Sequence, residues 1–162
     1  MTSLIEQLID ARRRLLEAAE AVPPERRDEA FLGSWCAKDI LAHLVGWDYT
    51  NVEAIAEMLA DRLPAFYGQY DPDWAAVNAG LVQRYRVDDW QALVDAARRW
   101  SATVTSLLSG LPEEELVRDR GLRWRGHVIT IAALLRAALR DEFQHAEQLR
   151  AFARSLSLEG EG

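Results

Sequence analysis

The chain has 162 residues, 49% of them hydrophobic and 28% charged, with a formal net charge of −7 from 26 acidic and 19 basic side chains. That size suits one globular domain over residues 1–162 with a sizeable core, while the acidity argues against a nucleic-acid partner and against an anionic membrane surface, both of which call for a basic face. The single cysteine, Cys36, excludes an internal disulfide and a multi-cysteine metal site; the start Met1-Thr2-Ser3 lacks a signal-peptide pattern and no apolar run reaches membrane-span length, so a soluble cytoplasmic protein is expected.

Ser3 stands three residues before Glu6, the spacing of a capping box, and Leu4, Leu8, Ala11, Leu15, Ala18 and Ala19 follow at helical spacing. A first helix is predicted over about 4–21, closed by Pro23-Pro24, with a polar connector over 25–33. A second helix is predicted from near Trp35, capped by Ser34, to about Arg62. At about 100° per residue, Ala37, Leu41, Leu44, Val45, Val52, Ile55 and Leu59 form one apolar stripe, and Cys36, Ile40, His43 and Trp47 a second. A helix apolar on two sides is central, so His43 faces the interior or a pocket and needs a hydrogen-bond or metal partner.

Pro64, Gly68 and Pro72 then punctuate a loop rich in aromatics, Phe66, Tyr67, Tyr70 and Trp74. Asp71-Pro72 predicts the start of a short helix over about 72–86, and Asp88 with Gln91 predicts the start of a third long helix, closed by Gly110 and Pro112. Residues 113–127 read as a loop or weak hairpin. A fourth long helix is predicted over about 129–155, with Ile131, Leu135, Ala138, Leu149 and Phe152 on one stripe and a frayed tail over 156–162. The result is an all-α four-helix bundle whose second and third helices are joined by a long connection carrying a short extra helix, able to roof a pocket.

Chemistry is expected where interior helix faces carry polar groups. Asp141 and His145 lie four apart and Glu142 and His145 three apart, so either pair can converge from one helix while His43 adds a third group from another. Three nitrogen and carboxylate donors with an open position suit a divalent metal such as zinc, nickel, manganese or iron. The plainer reading is a buried His43–Asp141 hydrogen bond joining two helices. Cys36 reads as a small core residue rather than a nucleophile, His127 as a solvated loop histidine, and the six tryptophans as core or pocket wall.

The segment Trp35-Cys36-Ala37-Lys38-Asp39-Ile40-Leu41-Ala42-His43-Leu44 resembles the opening of the second helix in the DinB/YfiT-like superfamily of four-helix bundles. Asp141-Glu142-Phe143-Gln144-His145-Ala146-Glu147-Gln148 is similar to that superfamily's last helix, where two histidines four apart precede a glutamine. Gly46-Trp47-Asp48, the Asp73-Trp74 segment with Asn78, and Leu111-Pro112-Glu113-Glu114-Glu115-Leu116 look more like the ClbS/DfsB branch. The resemblance implies a metal triad at His43, Asp141 and His145, with aspartate standing where the metal-binding form has histidine. It implies either metal-dependent chemistry, hydrolysis or transfer of a low-molecular-weight thiol to a reactive electrophile as in detoxification or self-resistance, or a non-catalytic small-molecule binding or dimerisation protein. His43 and His145 are then the catalytic residues; Trp47, Tyr70, Trp74, Asn78 and Glu142 line the substrate pocket. The expected partners are a small molecule and a second copy in a homodimer, with no nucleic acid and no membrane.

Overall fold

The four long helices each begin where a side chain or a tight turn satisfies the first free amides. In the computed structural model, which describes residues 3–69 and 73–161, these helices are α1 (Leu4–Glu20), α2 (Ala37–Leu59), α5 (Trp90–Ser109) and α7 (Ile131–Glu159). The short elements are α3 (Ala65–Gln69), α4 (Trp74–Tyr85), α6 (Glu113–Val117), β1 (Arg123–Trp124) and β2 (His127–Val128). Helix α1 packs on α5 and α7, and α2 packs on the same two, which closes the expected four-helix bundle.

Ser3 Oγ accepts the Glu6 N–H at 3.2 Å and Glu6 returns a carboxylate to the Ser3 N–H at 2.7 Å, the predicted capping box. Other boundaries move by a residue or two. Asp89, not Asp88, caps α5 by accepting from the Ala92 N–H at 3.1 Å. Helix α2 starts at Ala37 because Leu32 and Trp35 pair across a tight turn with Gly33 at φ +60°, which takes Ser34 away from the cap. Asp39 accepts the Cys36 N–H at 2.9 Å instead. Thr130 caps α7, which continues to Glu159, through most of the stretch expected to fray. Asp73 caps α4 through the Ala76 N–H at 3.1 Å; the Asp71-Pro72 start lies outside the described residues.

The long connection carries two short helices, α3 and α4, rather than one. Residues 113–128 hold α6 and then the hairpin, whose Trp124↔His127 pair is joined by Arg125 and Gly126 at φ 50° and 80°. Two consecutive positive φ values define the turn type that matches strand twist in a two-residue hairpin.

Buried apolar side chains form two clusters. One gathers Leu15, Ile40, Leu41, Leu93 and Leu149, the other Leu8, Ile55, Met58, Leu108 and Leu135. Between them every long helix contributes to a polar layer: Arg12 from α1, His43, Asp48 and Asn51 from α2, the Ala97 carbonyl from α5, and Glu142 and His145 from α7. Buried charged groups of this kind often stabilise no more than apolar residues of the same volume. Leu59, placed on the apolar stripe of α2 by periodicity, is 37% exposed at the helix end.

Helix α4 lies close against α2 at Gly46, where an added Cβ would stand 2.9 Å from Leu81 Cβ and 3.0 Å from Tyr85 Cδ2. Gly46→Ala must push α4 outward, and a loss of about 1–3 kcal/mol is expected from overpacking, measured as a lower urea midpoint. Among the described residues no helix is long and apolar enough to cross a membrane.

Candidate functional site

A cavity of about 520 Å³ opens beside the polar layer. Its polar lining comes from His43, Asp48 and Asn51 of α2, Asn78 of α4, His127 of β2 and Asp141 and Glu142 of α7, and its aromatic lining from Trp47, Phe66, Tyr67, Trp74 and Trp124. The aromatic rings touch in a closed circuit: Trp47 to Phe66 at 5.6 Å, Phe66 to Tyr67 at 4.3 Å, Tyr67 to Trp124 at 5.3 Å, Trp124 to Trp74 at 6.0 Å and Trp74 back to Trp47 at 6.0 Å. Asn78 of α4 accepts the Trp47 indole N–H at 2.8 Å and holds that ring in place. The extra helices and the hairpin thus supply the wall that the four-helix frame lacks.

At the polar end His43 Nε2–H donates to Asp141 Oδ2 at 2.8 Å, and His145 Nε2 lies 3.3 Å from Asp141 Oδ1. His145 Nδ1–H donates to Gln148 Oε1 at 2.7 Å, one helical turn on. The two imidazoles meet edge to face with centroids 5.0 Å apart, and the Trp35 ring covers His43 at 4.9 Å. His43 and His145 are 2% and 6% exposed, whereas the Asp141 side chain keeps 37% of its surface. Asp141 is therefore the member of the cluster that meets the cavity most openly; His43 also lines it, whereas His145 does not.

Burial alone would push the Asp141 carboxyl up, but hydrogen bonds from His145 and His43 hold it well below the usual carboxylate range. Burial would likewise lower His145; the Asp141 hydrogen bond and charge outweigh it and raise its pKa above 6.5. Because Gln148 takes the Nδ1 proton, Nε2 faces the carboxylate either as the second N–H of an imidazolium or as a ligand to a cation. A bound outer nitrogen of this kind is how proteins orient a metal-ligating histidine. One ligand atom from each of His43, Asp141 and His145 lies within 4.8 Å of the others, a donor set that fits a divalent metal.

Beneath this cluster Arg12 is 4% exposed and fully engaged. Its guanidinium grips both Glu142 oxygens, donates to Asp48 Oδ2 at 2.8 Å and to the Ala97 carbonyl at 2.7 Å. Two buried carboxylates share one cation. Burial pushes Asp48 up to about 6, the Glu142 charge adding to it, against the pull of Arg12.

The profile of the DinB superfamily matches residues 7–149. The chain belongs to the DinB superfamily. No curated protein matches the sequence. Among solved structures, this DinB-superfamily chain is similar to the colibactin self-resistance protein ClbS in complex with a dsDNA, with a TM-score of 0.77, 14% identity, and 93% of this chain and 94% of that one covered. It is similar also to an uncharacterised protein from Escherichia coli UTI89, with a TM-score of 0.76, 16% identity, and 95% and 92% covered. At these identities the likeness is one of fold, and it agrees with the resemblance read from the motifs.

The expectation of no nucleic-acid partner is corrected by the first of these structures, in which a protein of this fold is bound to a duplex. Net charge was the wrong quantity to argue from. It sums over the whole surface, whereas contact with phosphates depends on local patches.

Of the residues singled out by sequence, His43, Asp141 and His145 come together, and Trp47, Trp74, Asn78 and Glu142 line the cavity. Tyr70 lies outside the described residues. Glu142 faces Arg12 rather than acting as an alternative ligand beside His145. Cys36 is buried, and burial pushes its thiol up, as suits a core residue. His127, read as a solvated loop histidine, is exposed but stands at the cavity. Arg12, Asp48 and Asn51 escaped the sequence reading. Their signal was present: Arg12 interrupts the Leu8, Ala11, Leu15, Ala19 stripe at the position where an apolar residue belongs.

The charge states carry a pH signature. The raised pKa of Asp48 means the fold holds its proton more tightly than the unfolded chain, so stability falls as pH rises from 3.8 to about 6. The raised pKa of His145 adds stability that is present below 6.5 and lost as pH rises through the folded value. In chelator-treated protein the urea midpoint should fall from pH 5 to pH 8, and His145→Gln should flatten the upper part of that decline.

Proposed function

We propose that this protein is a small-molecule enzyme of the DinB fold, in which an apolar electrophile enters the cavity and is attacked beside the His43–Asp141–His145 cluster. The observation that carries this reading is a half-exposed carboxylate, fixed by two buried histidines, opening into an aromatic-walled cavity. Likeness in fold to a self-resistance protein and membership of the superfamily support it.

Nε2 of His43, Nε2 of His145 and a carboxylate oxygen of Asp141 would hold a divalent metal, which supplies Lewis-acid polarisation of a nucleophile or a substrate oxygen. The chain's own residues do the rest. Gln148 fixes the His145 ring, so that its Nε2 stays aimed at Asp141. Without metal, Asp141 accepts the His43 Nε2–H; for that nitrogen to ligate, its proton would sit instead on Nδ1, a buried atom with no other hydrogen-bond partner among the described residues. The aromatic circuit excludes water from the apolar part of the substrate and orients it. Water is favoured over a carboxylate-bearing thiol as nucleophile, because the described lining contains Asp48, Asp141 and Glu142 and neither lysine nor arginine. A second reading, a binding protein without metal, draws on the fact that Asp141 already has both histidines as partners.

Metal analysis of untagged protein separates the two. About one equivalent of metal, with a higher melting temperature on adding zinc, nickel or manganese, is the expected result. Sub-stoichiometric metal and an unchanged melting temperature would remove the metal centre from the reading.

A further inference from the structure

The substrate's chemical class can be read from what the cavity offers beyond its reactive end. The described lining carries three carboxylates and no lysine or arginine. Asn51, 3% exposed, adds an Oδ1 with no hydrogen-bond partner. Arg12 offsets part of the negative charge, but its donors are spent on Glu142, Asp48 and the Ala97 carbonyl. The polar lining is thus rich in acceptors. Opposite chemistry comes from the five-ring circuit: the faces of Trp and Tyr rings carry negative quadrupole potential and attract cations within about 6 Å of the centroid. One ring already does so, since the Arg125 guanidinium lies 4.7 Å from the centroid of Trp124. Indole rings such as Trp74, 36% exposed, leave area for a second cation.

Acceptors at one end, aromatic faces around the body and no lining cation select a positively charged apolar guest. Resting on the cavity assigned above as the substrate site, we infer that the ligand carries, beside its electrophilic centre, an amine or amidine protonated at neutral pH, whose N–H groups meet the open Asp141 carboxylate while its apolar body lies against the tryptophans. An anionic ligand would meet three carboxylates with no lysine or arginine in the described lining to offset them, and a neutral ligand would forgo the charge-assisted hydrogen bond to Asp141.

The test is calorimetric titration of chelator-treated protein with three probes of one shape: 4-phenylbutylamine, 4-phenylbutanol and 4-phenylbutyrate. The amine should bind at least about tenfold more tightly than the alcohol, and the carboxylate more weakly than either. Asp141→Asn should remove most of the amine's advantage by weakening the amine far more than the alcohol; Trp74→Leu, a substitution at a part-exposed position, should also weaken the amine more than the alcohol. Equal binding of amine and alcohol, or tightest binding of the carboxylate, would overturn the inference whether or not the protein turns over a substrate. Amine preference in a protein without turnover would instead refute the catalytic reading and leave this one standing.

Discussion

Arg12→Ala is expected to lower the unfolding free energy by about 3–5 kcal/mol, because it leaves Asp48 and Glu142 buried without their shared cation. The loss is read from urea unfolding followed by circular dichroism. It reflects uncompensated charge and not the worth of the ion pair, which a second variant demonstrates. Replacing the whole group, Arg12→Met with Asp48→Leu and Glu142→Leu, should restore or exceed native stability, since apolar residues of similar volume avoid the desolvation penalty. A loss below about 1 kcal/mol for Arg12→Ala would mean that the layer is solvated, the cost expected of an exposed pair.

The second large effect falls on chemistry. Asp141→Asn keeps the side chain's shape but removes the charge that supports the His145 imidazolium and accepts from His43. Turnover of an electrophilic substrate should fall at least about 10–100-fold, the usual cost of disturbing the groups that hold and orient metal-binding histidines. The pKa of His145, followed by its imidazole NMR shifts, should move down at the same time. Asp141→His, which restores the paired histidines seen in the superfamily pattern, should retain metal in equilibrium dialysis at least as well as the native chain. It will not restore the anionic acceptor, so metal content and rate are expected to part company in this variant.

How far these features can be read from sequence depends on range. The capping box at Ser3 and Glu6, the central character of α2 and the apolar stripe of α7 are local patterns, and each is found where periodicity placed it. The convergence of Asp141 and His145 is likewise one helical turn. His43 joining them depends on how α2 and α7 are rotated against each other, and there the spacing of apolar residues left alternatives that the resemblance narrowed. Arg12 with Asp48 and Glu142 spans 130 residues of sequence, and no local pattern pairs such partners. The aromatic circuit is built from α2, α3, α4 and the hairpin, so it follows from the path of the loops, the least patterned part of the chain. Ser34 and Asp88 were displaced as caps by neighbours because several polar residues stand near each helix start and tertiary packing chooses among them.

The polar layer and the wall give one picture: the bundle gives up apolar packing at mid-height to hold a carboxylate and two histidines at a cavity. Turnover measures that picture most directly. Native protein, loaded with metal, should be assayed against a panel of apolar electrophiles beside Asp141→Asn and Trp74→Leu. The expected result is hydrolysis well above the buffer rate, a collapse of kcat in Asp141→Asn, and a raised KM with nearly native kcat in Trp74→Leu. Native protein no faster than buffer across the panel, or an Asp141→Asn variant as fast as native, would contradict it.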